Sequence, residues 1–378
     1  MRKSSGGKDT IRGRLSAAEH PLGFDYLRLA LALSVVAFHS FTTTHDLHAD
    51  RLFWQGPLGV FMRLVLPMFF ALSGFLVAGS LARSASLGDF LIRRALRIVP
   101  ALFAEIMLSA LVLGPLLTSI PLHSYFGDRQ FFTYFLNAVG DVHFSLPGVF
   151  LHNPRTGLVN GSLWTIPFEG FCYLALAALA ILGSMRRRGL MLLIAAAGSV
   201  VLALQAISAH EAALAPTGPF LVVCFLAGMA LFLNRDRIPI SSGLAAMVAL
   251  AVIALLSIPG ALYLAALPLA YVTVCVGLTR PPKTIAVRGD YSYGVYLFAY
   301  PIQQACVQLS PSLRSTWSVF LVAAPLSIAY ATVSWRFIER PILTRKRQIA
   351  ASIAQHLAFA SVVTSRFSRK RELQTDII

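Results

Sequence analysis

Ten apolar runs, each close to the length needed to cross a bilayer, leave this 378-residue chain few ways to fold. They lie near residues 24–43, 58–81, 98–120, 163–183, 190–207, 219–233, 241–258, 261–278, 291–309 and 316–335. Backbone facing lipid must satisfy its own hydrogen bonds, which restricts spanning elements to helices or a closed barrel. Runs of about 20 residues are the length of a spanning helix, not of a barrel strand. Charged residues make up only 13% of the chain, about half the usual share of a soluble protein. Mean hydropathy is +0.70. The expected class is an all-α polytopic membrane helical bundle of about ten transmembrane helices. The sixth and seventh runs are short, which leaves tilt, a kink or re-entry open for them.

A net charge of +16 would suggest nucleic acid if it were spread over a surface. It is not. With the N-terminus inside, 26 of the 32 Lys and Arg fall on the cytoplasmic side, including Arg93, Arg94, Arg97, Arg186, Arg187 and Arg188. That asymmetry is the positive-inside rule, so the basicity sets orientation and both termini are expected in the cytoplasm. No cleavable signal peptide is apparent, because the first apolar run lacks a small-residue cleavage site. The expected division is a basic N-terminal segment 1–23, a transmembrane domain 24–343 with a long external loop at 121–162, and a basic tail 344–378. The tail's stretch to Arg371 has the makings of an interfacial helix. Cys172, Cys224, Cys275 and Cys306 lie in apolar runs at no metal-like spacing, and read as small hydrophobes.

The first run carries Arg28 and His39, with Asp25 just before the arginine. Ionisable groups at bilayer depth are costly and face a bundle interior or a wet cavity. Eleven residues make three helical turns plus roughly 20°, a rise of about 16 Å. Arg28 and His39 therefore share one helix face at two depths, and Asp25 lies near the same line. A neutral imidazole there can take a proton from a hydroxyl. Glu169, two residues after Pro167, is a second acid within a span, read either as functional or as a salt-bridge partner of Arg63 or Arg28. Arg94 and Arg97 are three apart and share a face. With Arg93 they suit phosphate recognition, although a positive-inside anchor explains the cluster equally. Ser73, Trp164 and Tyr293 are weaker candidates, explained as well by helix packing or interfacial anchoring. Asn160-Gly161-Ser162 matches a glycosylation sequon.

Together these segments resemble the acyltransferase-3 family of polytopic O-acyltransferases. The resemblance runs from about Phe24 to Arg347, in family order. Arg28 and His39 match its Arg-x10-His, FFALSGFL its second-span Ser-Gly-Phe, and Arg94-Ala-Leu-Arg97 its Arg-x-x-Arg. VNGSLWTIPFEGFCYL places Glu169 on the family acid, and DYSYGVYLFAYPIQQ and WRFIERP match the closing segments. Pro67 and Ala299 depart from the Asp and His of many relatives, so no role is carried over for those side chains. The esterase-like domain fused to some relatives is absent from this sequence.

The resemblance implies transfer of an acyl group, with acetyl expected, from cytoplasmic acyl-CoA to a hydroxyl of a cell-envelope polysaccharide or glycolipid. Arg93, Arg94 and Arg97 would hold the CoA phosphates, and Arg28 would guide the thioester arm. His39 would act as base or, in a variant left open, carry the acyl group. Glu169 would orient the acceptor or His39, with Asp25, Ser73, Trp164 and Tyr293 supporting the site. No tightly bound cofactor and no metal are expected. The partners implied are acyl-CoA, the glycan or glycolipid acceptor and membrane lipid, in a multi-pass bacterial inner-membrane protein. A glycolipid flippase or solute transporter would also carry intramembrane charges. No inverted repeat is evident, and a basic cytoplasmic mouth suits phosphates, so the enzyme is favoured.

Overall fold

The computed structural model describes residues 10–16, 23–208, 215–258, 260–279, 291–346 and 348–349. The basic residues Arg280, Lys283 and Arg288, and most of the 344–378 tail, lie outside them. The described residues are helical, with two isolated β-bridges, Thr10 with Pro239 and Thr118 with Val149. In chain order the principal helices are α1 (Ile11–Ser16), α2 (Gly23–Thr44), α3 (Leu47–Gln55) and α4 (Pro57–Ala82). They continue as α5 (Leu87–Leu117), α6 (Gly161–Ile181), α7 (Arg188–Ser208) and α8 (Gly218–Leu233). The last four are α9 (Ser242–Ser257), α10 (Ala261–Gly277), α11 (Ser292–Leu309) and α12 (Thr316–Thr344). By length and apolarity, α2, α4, α5, α6, α7 and α12 can each cross a membrane, while α8, α9 and α10 are shorter apolar helices.

Contacts sort the helix ends into two faces. At one, Arg188 meets Asp236 at 2.9 Å and Arg97 meets Glu339 at 2.6 Å. At the other, the Thr44 and Thr316 hydroxyls are 3.3 Å apart and Gln308 Nε2 donates to the Leu117 carbonyl at 2.8 Å. We call these the basic face and the far face.

Local chemistry sets the boundaries. Asp46 caps α3 by accepting the Ala49 N–H at 2.9 Å, a bond that holds its carboxyl below the ordinary range. Pro57 opens α4, where its missing N–H costs nothing. Ser86 caps α5 through the Asp89 N–H, and Asp89 pairs with Arg93 one turn on. The helix therefore starts at Leu87, well before the apolar run at 98–120, because the three arginines lie on its first turns rather than before it. Similarly α12 continues past Trp335 through a π-turn at Trp335–Glu339. Such one-residue insertions often re-aim a side chain at a functional site.

Packing within a bilayer rests on close contact rather than on water exclusion. The most extensive interface joins α4 and α8. There a Cβ on Gly74 would strike the Phe225 carbonyl, and one on Gly228 the Ala71 carbonyl. Both backbones use the missing side chains to approach. The Gly74→Leu variant should lose about 3 kcal/mol, the upper part of the usual overpacking cost, seen as a lower melting temperature in detergent. An approach loose enough to take leucine would leave the melt unchanged.

The 121–162 loop is folded onto the bundle. Asn153 Nδ2 donates to both oxygens of Gln304, and Gln304 Nε2 returns bonds to the Arg155 and Leu158 carbonyls at 2.9 and 2.6 Å. Asn160 is fully buried and gives its amide to the Leu297 carbonyl at 3.0 Å. The sequon is thus part of the packing and presents no acceptor amide.

Candidate active site

Two chambers lie one above the other between α2, α4, α6 and α11. The one toward the basic face holds about 120 Å³ and is lined by Arg28, Ser73, Arg94, Arg97, Glu169 and Tyr293, among others. Its lining carries three guanidiniums and one carboxylate, Glu169, and a second carboxylate, Glu339, pairs with Arg97. Glu169 accepts a short hydrogen bond from the Tyr173 hydroxyl. Arg94 donates to Ser80 Oγ at 3.2 Å and keeps a buried Nε without a hydrogen bond. Arg97 is held from three sides. Its Nη1 reaches Glu339, and its guanidinium carbon lies 5.4 Å from the Tyr293 ring centre and 5.9 Å from that of Trp335. Glu339 is the last residue of the π-turn in α12. A pocket of this volume lies below the ~300–1,000 Å³ of drug-sized sites, so it admits one end of an extended ligand.

Glu339 is nearly fully buried. The Glu339→Ala variant strips Arg97 of its partner and should cost about 3 kcal/mol, the low end for breaking a buried pair because Arg97 keeps some solvent. Glu339→Gln retains an acceptor and should lose less. Equal melting temperatures for the two variants would show that the acceptor is immaterial, and melting of both with the wild type that the charge is immaterial too.

The second chamber, about 270 Å³, opens toward the far face and includes His39, Asp50, Trp54, Arg155, Trp164 and Tyr300. His39 sits with its ring edge-on to Tyr300 at 4.9 Å, and its Nδ1 is buried without a hydrogen bond. Beside His39 on α2, Ser40 Oγ and the Val36 carbonyl take the amide of the buried Gln303 at 2.8 and 2.6 Å, fixing α2 against α11. Leu66 and Tyr296 border both chambers. The Tyr296 hydroxyl is tied to Thr165 Oγ1 at 2.8 Å and to the Ser162 carbonyl at 3.1 Å, so the partition has a fixed half.

The structure therefore brings Arg28, Arg94, Arg97, Ser73, Glu169 and Tyr293 together, and places His39 and Trp164 in the adjoining chamber. Arg93 is turned to Asp89 and Asp25 lines neither chamber. Glu169 and His39 do not share a chamber, and the buried Glu105 of α5 accepts a hydrogen bond from Ser109 at 2.7 Å. Sequence reasoning did not single out Asp50, Arg155, Tyr296, Tyr300 or Glu339. The last three lie in the closing segments DYSYGVYLFAYPIQQ and WRFIERP, so the signal was present for them. Asp50 and Arg155 lie in connecting segments that carried none.

A family described as an acyltransferase domain, Acyl_transf_3, matches residues 22–336. The chain belongs to the acyltransferase-3 family. Its helices carry a multi-pass integral membrane enzyme of that family, one that transfers acyl groups other than aminoacyl groups. It is 25% identical over 336 residues to the O-acetyl transferase of Shigella phage Sf6, covering 85% of this chain and 96% of that protein. It is 29% identical over 369 residues to Nodulation protein 10 of Rhizobium leguminosarum bv. viciae, covering 88% of this chain and 96% of that protein. No solved structure matches the chain at a significant level. The matched region of the acyltransferase-3 domain contains both chambers and ends three residues short of Glu339.

Proposed function

We propose that this acyltransferase moves an acyl group, acetyl in the first instance, from cytoplasmic acyl-CoA to a hydroxyl of a cell-envelope polysaccharide or glycolipid. The observation that carries the reading is the stacking of an arginine-rich chamber on a histidine chamber, with only Leu66 and Tyr296 shared between them. The basic face is the cytoplasmic one, with ten helices crossing a bacterial inner membrane and both termini inside. The name of the phage relative, an O-acetyl transferase, supports hydroxyl as acceptor and acetyl as the group.

In this reading Arg94 and Arg97 take the donor's phosphates and Arg28 steers the pantetheine arm inward. The thioester reaches past Leu66 and Tyr296 to the His39 chamber. Imidazole nitrogen accepts the acceptor's hydroxyl proton as that oxygen attacks the thioester carbonyl. The new C–O bond forms, the C–S bond breaks, and the departing CoA thiolate takes the proton from His39. Glu169 stays with the arginines, where it balances part of their charge and leaves a net attraction for phosphate. Arg28 and His39 lie about 16 Å apart along α2, so one elongated donor spans the distance without alternating access.

The test is thiol release from acetyl-CoA by the purified protein in lipid, with and without envelope polysaccharide from the producing cell. Release that requires the polysaccharide, with acetyl ester appearing on it, is the expected result. Transport of the polysaccharide with acetyl-CoA untouched would overturn the reading in favour of a carrier.

A further inference from the structure

We infer that Asp50 and Arg155 form a reading pair beside His39, so that an acceptor is held only if a second free hydroxyl neighbours the one to be acylated. The inference rests on the far chamber being the acceptor side, and it goes further by assigning what the acceptor must carry.

Arg155 is delivered by the long loop, whose backbone Gln304 fastens to α11. Its Nη2 meets Asp50 Oδ2 at 2.7 Å, and its Nε donates to the Thr42 carbonyl at 3.1 Å. Thr42 lies one turn beyond His39 on α2, so the guanidinium ties loop, α2 and α3 together at the level of the imidazole. Asp50 spends one oxygen on that pair. Its other oxygen, Oδ1, is buried without a hydrogen bond. An ionised carboxylate oxygen only accepts, so what it lacks is a donor. Leaving such a group unmet is costly, and a ligand that supplies the donor recovers the cost.

The pair is already neutral as a unit, which favours an uncharged ligand over a carboxylate or an amine. Trp54, Trp164 and Tyr300 give the same chamber broad apolar walls around these few polar groups, the usual make-up of a small-molecule site. A volume of about 270 Å³ accommodates one ring of a polyol rather than a long stretch of chain. The ligand that meets all of these demands is a neutral ring carrying adjacent hydroxyls, one directed to His39 and one to Asp50.

The probes are methyl glycosides of neutral hexoses and their single-deoxy analogues, titrated into the full-length protein in lipid nanodiscs. Tryptophan fluorescence reports binding, since Trp54 and Trp164 line the chamber. Acetyl-CoA binding is followed on the same samples by calorimetry. The wild type is expected to bind at least one parent glycoside about tenfold more tightly than one of its deoxy analogues. In Asp50→Ala, which removes both oxygens, parent and analogue should bind alike, with acetyl-CoA binding retained. Arg155→Lys serves as the second variant if Asp50→Ala melts early, and should also narrow the difference. Saturable binding of no neutral glycoside to the wild type would overturn the inference. So would full discrimination by a folded Asp50→Ala protein. Discrimination that depends on Asp50 in a protein that never consumes acetyl-CoA would instead overturn the acyl-transfer reading and leave the pair standing.

Discussion

His39→Ala is expected to lower the rate of acyl transfer by about 10²–10⁴-fold, the usual contribution of a positioned general base. The variant should fold. The Thr42 and Thr43 hydroxyls bond to the backbone carbonyl of His39 rather than to its ring, and the Gln303 clamp holds α2 without it. The ring is fixed by Tyr300 on one side and points no proton acceptor at a protein partner through Nδ1. Thiol release measured on wild type and variant, with acetyl-CoA affinity determined alongside, separates loss of chemistry from loss of binding. The account requires the rate to fall while donor affinity holds. Equal rates would remove His39 from the reaction.

The second large effect falls on the donor. Replacing Arg94 and Arg97 with alanine should weaken acetyl-CoA binding by about 10²-fold or more, since each charge-assisted hydrogen bond contributes about 1.5–3 kcal/mol. Arg97 also neutralises the buried Glu339, so the pair is best removed in a Glu339→Gln background, where no carboxylate is stranded. S-acetyl-pantetheine, which lacks the nucleotide phosphates, provides the control. Its turnover should be similar in the parent and the arginine variants. A matching penalty for both donors would mean that these arginines support the fold and do not recognise phosphate.

The all-helical, membrane-spanning class and part of the lining of the candidate site were readable from the chain. Hydropathy located the apolar runs because bilayer thickness fixes their length. The helical repeat placed Arg28 and His39 on one wall because both lie on a single uninterrupted helix. Arg94, Arg97 and Glu169 reached a common chamber through the family order of their segments, which spacing alone does not supply.

What stayed hidden depends on contacts between elements distant in the chain. Asp50 lies on a nine-residue helix between two spans, and Arg155 in a loop more than a hundred residues later. Nothing in either neighbourhood marks the other. Arg63, offered by the sequence as a salt-bridge partner of Glu169, is buried and donates to the Trp54 and Leu256 carbonyls, joining α3, α4 and α9. Helix starts were missed where arginines occupy the first turns, as in α5, because hydropathy discounts residues that a neighbouring carboxylate accommodates.

The central claim is that donor and acceptor enter from opposite faces and meet across the partition formed by Leu66 and Tyr296. Sealed vesicles with the protein in one orientation test it most directly. Acetyl-CoA is supplied only at the basic face, and envelope polysaccharide from the producing cell only at the far face. The account predicts acetylated polysaccharide on the far side and free CoA thiol on the donor side. Product formed only when both substrates share a face would contradict it.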